Sequence, residues 1–131
     1  MIRCVRMWTG SDGNSCFEEG ILELKKGERG DFIGLPITVS ELYFRETVTG
    51  GDFDWHLDPV PRFVITLSGV LEFEMKSGKT FQISPGDILL AQDDSGSGHR
   101  WKLIGDSPWI RAYVNYEDAN NLTFVANREK E

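Results

Sequence analysis

The chain has 131 residues, with 14 Lys and Arg against 21 Asp and Glu and a formal net charge of −7. This length predicts a single domain, residues 1–131, able to bury a core without a staple. The charge opposes phosphate backbones, no apolar run approaches the roughly 20 residues of a membrane span, and "MIRCVRMWTG" lacks the features of an export signal, so the expectation is a cytoplasmic protein with neither nucleic acid nor membrane as partner.

Strand signals run the length of the chain. "RCVRMW" (Arg3 to Trp8) is bounded by the turn-rich "TGSDGNS". "ILELK" (Ile21 to Lys25) ends at Gly27, and "TVSELYFRET" (Thr38 to Thr47) ends at Gly50 and Gly51. "RFVITLS" passes through Gly69 into "VLEFEM", and "SGK" turns into "TFQI". "SPGD" then opens "ILLA", and "HRWKLI" and "PWIRAYVNY" close the set. The polar C-terminal "YEDANNLTFVANREKE" is the only stretch with any helical character, and its Thr123, Phe124 and Val125 favour strand. Short strands at close spacing with Gly/Pro turns predict an all-β sandwich or barrel. Cys4 and Cys16 form no C-x-x-C pair and read as free thiols.

Alternation assigns the faces, because successive side chains on a strand point to opposite sides. Leu71, Phe73 and Met75 share one face, and Glu72 and Glu74 the other. His99 shares its face with Trp101 and Leu103, while Arg100 and Lys102 point to water. In "WHLDPVPRFVITLSG", His56 and Asp58 project to one side, which Arg62, Val64 and Thr66 also share if the strand stays in phase. Phe63, Ile65 and Leu67 then face the other way, as in a strand buried on both sides.

Gly50, five residues, His56, one residue, Asp58, three residues, Arg62, six residues and Gly69 reproduce the spacing of the first cupin motif. "SPGDILLAQDDSGSGHRW" resembles the second, with Pro85, Gly86 and Asp87 opening a strand and His99 at the place of the last metal-binding histidine. The chain also resembles a group of small single-domain cupins that carry "WH…P…VITLSG" and "PGDILLA…D…G.GH" segments. What the resemblance implies is an RmlC-like jelly roll, a double-stranded β-helix barrel with its core at about 38–116, and a homodimer paired through its sheets.

The chain departs from the family at two positions, with Asp58 in place of a histidine and Arg62 in place of a glutamate. Three readings follow. His56, Asp58 and His99 make the two-His, one-carboxylate triad of a non-haem iron(II) dioxygenase, or the site of an isomerase, holding iron, manganese, nickel or zinc. Alternatively Arg62 opposes a metal, engages Asp58, and clamps the carboxylate or phosphate of a small anionic or polar molecule. Trp55, Thr66, Asp93 and Trp101 then complete a metal-free pocket with Val64 and Leu103, and His56 or His99 is the candidate catalytic base. The third reading is a structural barrel filled by side chains. The loop "DDSGSG" (Asp93 to Gly98) is either a lid or a hairpin connection. Trp8 and Trp109 are expected in the core or an interface.

Overall fold

A computed structural model describes residues 1–127 and contains strands and turns with no α-helix. The terminal "REKE" of the sequence reading lies outside the described residues. Among the described residues no helix is long and apolar enough to cross a membrane.

The chain opens with a hairpin of β1 (Ile2–Thr9) and β2 (Ser15–Leu22). A small ribbon follows, β3 (Lys25–Lys26) with β4 (Phe32–Ile33). Next come β5 (Val39–Thr47), β6 (Asp52–His56), β7 (Arg62–Ser68), β8 (Val70–Met75) and β9 (Thr80–Ile83). The remaining strands are β10 (Ile88–Gln92), β11 (His99–Ile104), β12 (Trp109–Tyr116) and β13 (Phe124–Ala126).

These strands form two principal sheets. The larger runs β13-β2-β1-β10-β7-β12-β5 and the smaller β6-β11-β8-β9. The sheets do not join into one hydrogen-bonded cylinder, so the predicted barrel is a two-sheet jelly roll. Eight strands, β5 to β12, supply four to each sheet. The first hairpin and β13 widen the larger sheet, with β1 laid parallel against β10.

Between the sheets lies a core of Val5, Met7, Val64, Leu71, Phe73, Met75, Phe81, Ile83, Leu89, Trp101, Leu103, Trp109 and Tyr113. A second cluster, with Cys4, Phe63, Ile88, Leu90 and Val114, covers the opposite face of the larger sheet. The β7 strand therefore contributes to both clusters, as its sequence predicts. Cys4 and Cys16 are both free thiols.

The second strand begins six positions before the predicted Ile21 and stops short of Leu24. Its polar start, "SCFEEG", carries no alternation signal, and the pairing with β1 from Thr9↔Ser15 to Ile2↔Leu22 sets its extent instead. Gly20 interrupts that strand because β13 crosses there, and a Cβ would lie 2.1 Å from the Val125 carbonyl oxygen. Of the ambiguous C-terminal stretch, Phe124–Ala126 is strand and pairs with β2.

Candidate functional site

Alternation along β5, β7 and β12 sends one face of each strand inward. Tyr43 and Arg45, Arg62 and Val64, and Trp109, Arg111 and Tyr113 line a cavity of about 350 Å³ between the sheets. Phe53, His56, Leu57, Asp58, Pro59, Phe73, His99 and Trp101 are among the residues that complete its wall. His56 and His99 face each other as register partners of β6 and β11, with ring centroids 4.4 Å apart. Phe53 stacks on His56 at 3.9 Å.

His99 is 1% exposed and sits between two carboxylates. Its Nδ1 donates to Asp93 Oδ2 at 2.8 Å, and its Nε2 faces Asp58 Oδ1 at 3.4 Å. Burial disfavours its imidazolium, but the hydrogen bonds to Asp58 and Asp93 outweigh that and raise its pKa. Burial likewise disfavours the Asp93 carboxylate, and the bonds from His99, Ser15 and Thr9 overcome it, so the Asp93 pKa is lowered. His56 moves the opposite way to His99. Burial lowers its pKa, against the Asp54 carbonyl that Nδ1 meets at 2.7 Å, and the charge of His99 adds to the lowering.

The loop between β10 and β11 is a tethered connection and not a free lid. The Thr9 hydroxyl donates to Asp93 Oδ1 at 2.9 Å, and Ser95 N–H donates back to Thr9 at 3.3 Å. Gly98 N–H donates to Ser15 Oγ at 2.8 Å, and Ser15 N–H donates to Ser97 Oγ at 3.0 Å. Gly98 has φ +95°, and a Cβ there would lie 3.2 Å from the His56 carbonyl oxygen.

Three arginines gather on the other side of the cavity. Arg111, 2% exposed, donates to Tyr113 Oη at 3.2 Å, to Thr47 Oγ1 at 2.7 Å and to the Trp109 carbonyl at 3.2 Å. Its guanidinium also stacks on Trp109 at 3.7 Å. Arg62 donates from Nη1 to Tyr43 Oη at 3.0 Å, while its buried Nε has no partner among the described residues. Arg45 is exposed at the mouth and pairs in register with Arg111. Burial lowers the Arg111 pKa, and repulsion from Arg45 and Arg62 adds to the effect, against the favourable contact with Tyr113.

Several sequence expectations change here. Asp58 and Arg62 are not paired, since Asp58 turns to His99 and Arg62 to Tyr43. Trp55 is not in the pocket. It alternates with His56 and faces outward, where Lys76 and Arg100 pack over its indole. Thr66 is 1% exposed and accepts the Trp109 indole N–H at 3.2 Å, so it supports the wall without lining it. Asp93 stands behind His99, and Trp101 lines the cavity as expected. Trp109 is both core and cavity wall. Arg45 and Arg111 were not among the candidates. The signal for both was alternation, which places a cation among inward aromatics in "YFRET" and "WIRAY".

The donor atoms of the candidate metal ligands are already engaged. Asp58 Oδ2 accepts Asp93 N–H at 2.9 Å, while Oδ1 faces His99. Among the described residues no group of three His, Cys, Asp or Glu side chains is placed to hold a metal ion. The residues as arranged do not fit one.

No family model matches the chain, and no curated protein does. Solved structures do resemble it. A double-stranded β-helix protein from Klebsiella pneumoniae is 22% identical, with 77% of this chain and 88% of that one covered and a TM-score of 0.48. The Cupin_2 domain of an XRE family transcriptional regulator from Enterobacter cloacae is 14% identical, with 90% and 100% covered and a TM-score of 0.35. CapF, a capsular polysaccharide assembling protein from Staphylococcus aureus, is 18% identical, with 80% of this chain and 32% of that one covered and a TM-score of 0.40. The strand order decides the fold. The eight strands β5 to β12 pair as β10-β7-β12-β5 against β6-β11-β8-β9, the order of a jelly roll. The chain has a two-sheet jelly-roll fold. In this jelly roll, the positions that resemble the first motif bring His56, Asp58 and Arg62 to the cavity wall, and those that resemble the second bring His99.

Proposed function

We propose that the protein is a cupin and binds a small anionic organic molecule in the cavity between its sheets. The observation that carries the reading is Arg111, a guanidinium 2% exposed and bonded, among the described residues, to two hydroxyls and one carbonyl but to no carboxylate. A buried charge without a counter-ion is unfavourable, and an anion from solution relieves it. Aromatic walls with a few placed polar groups are the ordinary composition of a small-molecule site. Trp101 and Trp109 line the cavity, so their fluorescence serves as the readout. Benzoate should bind at least tenfold more tightly than benzamide, and Arg111→Met should remove the difference. Equal binding of the charged and neutral compounds would sink the proposal.

A second reading, an acid–base enzyme, is favoured by the two imidazoles. They lie 4.4 Å apart and have pKa values displaced in opposite directions, an arrangement suited to one acid and one base. The test is deuterium exchange at carbon in a bound carboxylate in heavy water. Exchange that His56→Asn abolishes supports the enzyme, and absence of exchange leaves a binding protein.

A further inference from the structure

We infer that the ligand is a dianion, an organic molecule carrying two negative charges on a largely apolar or aromatic body, such as a dicarboxylate or a phosphate monoester. The inference rests on the anion-binding reading and fixes the charge of the ligand.

The site holds positive charges that no carboxylate among the described residues neutralises. Three guanidinium carbons surround one phenol, with Arg62 at 4.0 Å and Arg45 and Arg111 each at 5.3 Å from the Tyr113 ring centroid. Asp58 is the one carboxylate among the described residues lining the cavity. Its oxygens are committed to His99 and to the Asp93 amide. Asp93 lies behind His99 and is bonded to it, to Thr9 and to Ser15. The acidic side of the cavity is thus satisfied within itself and gives nothing to the arginines.

Arg45 is at the mouth, where water screens it. Arg111 is buried and Arg62 half-buried, and among the described residues each donates only to neutral acceptors: Tyr43 for Arg62, and Tyr113, Thr47 and the Trp109 carbonyl for Arg111. Arg62 keeps a buried Nε without any acceptor. One carboxylate neutralises one of these charges and leaves the other without a counter-ion. Two negative charges match both: Arg62 offers its Nε and Nη2, and Arg111 offers its Nη2, the nitrogens that the bonds above leave over.

Register makes the same point. Arg111 stands directly opposite Arg45 on the neighbouring strand, and like charges so placed are destabilising. Jelly-roll packing alone does not call for that pair. The remaining wall includes Phe53, Phe73, Trp101 and Trp109, which suits an apolar or aromatic body between the charged groups.

The test is isothermal calorimetry on the full chain at pH 7.5 with matched pairs, butanoate against succinate and benzoate against isophthalate, and with phenyl phosphate beside them. Each dianion should bind at least tenfold more tightly than its monoanion. Arg62→Met should reduce that advantage to under threefold. Arg62→Gln, which removes the charge but keeps a polar side chain, should have the same effect and keeps the test decisive if the methionine variant does not fold. Monoanions and dianions binding within threefold of each other would overturn the dianion and leave the anion pocket standing. Failure of every anion to bind would overturn both.

Discussion

Asp58 and Asp93 hold each other in both directions across 35 positions of sequence. Asp58 N–H donates to the Asp93 carbonyl at 2.8 Å, and Asp93 N–H donates to Asp58 Oδ2 at 2.9 Å. Their remaining carboxylate oxygens address the two ring nitrogens of His99. The result is a closed, buried ring of polar contacts, and such networks are valuable only when complete.

Asp93→Asn breaks the charge balance of this ring with little change in shape. The raised pKa of His99 contributes stability that is complete below its unfolded value near 6.5 and is lost as pH rises through the folded value. The lowered pKa of Asp93 contributes stability that is present above its unfolded value near 3.9 and is lost as pH falls through the folded value. The penalty of Asp93→Asn should therefore peak between roughly pH 4 and 6.5, at about 1.5–3 kcal/mol, and shrink at both ends. His56 titrates in the opposite sense to His99, so the difference between proteins at each pH is the quantity to plot, in a His56→Gln background. A flat difference across pH 4 to 9 contradicts the assignment.

The first hairpin reaches this ring from outside the eight jelly-roll strands. Thr9→Val removes the hydroxyl that Asp93 Oδ1 and Ser95 N–H share. Ser15→Ala removes the acceptor of Gly98 N–H. Each should cost about 1–2 kcal/mol in chemical denaturation. Nitrogen-15 spectra of the imidazoles separate positioning from mere stability. The chain has two histidines, and only the His99 titration should fall in Thr9→Val. An unchanged His99 pKa would make the hairpin structural only.

The fold was legible because a strand's faces are written in alternate positions and its ends in Gly and Pro. His56, Asp58, Arg62 and His99 could be gathered from spacing, and all four line the cavity. Arg45 and Arg111 were equally legible in face but carry no motif, so only the apposition of β5, β12 and β7 reveals them. Thr9 and Ser15 were not legible at all. Their contacts lie 84 and 83 positions away, and nothing local in "TGSDGNS" distinguishes a hydroxyl serving a turn from one serving a distant loop. The choice of Asp58 between Arg62 and His99 depends on where β7 passes Tyr43, which a single strand does not encode.

Elemental analysis addresses the metal. Protein prepared without tag or chelator should hold well below stoichiometric iron, manganese, nickel or zinc, and anaerobic iron(II) should not perturb the His99 ring signals. Near-stoichiometric metal that disappears in His99→Ala would restore the triad of His56, Asp58 and His99 and replace the metal-free reading.

Pairing of two copies is expected through the outward face of the larger sheet. Leu42 and Phe44 of β5 and Leu67 of β7 are 55%, 69% and 51% exposed, and Ile110 of β12, between those strands, points the same way by alternation. Sheet faces that meet water normally carry polar residues. At about 25 cal/mol per Å² of apolar surface, covering such a face stabilises a dimer appreciably. Phe44→Glu places a charge in the middle of that patch and leaves the cavity untouched, because Phe44 alternates with the inward Tyr43 and Arg45. Light scattering should show a dimer for the unmodified chain and a monomer for Phe44→Glu, with unchanged benzoate binding in both. A monomer at tens of micromolar unmodified chain would refute the pairing, and loss of binding in Phe44→Glu would mean that the second copy contributes to the site.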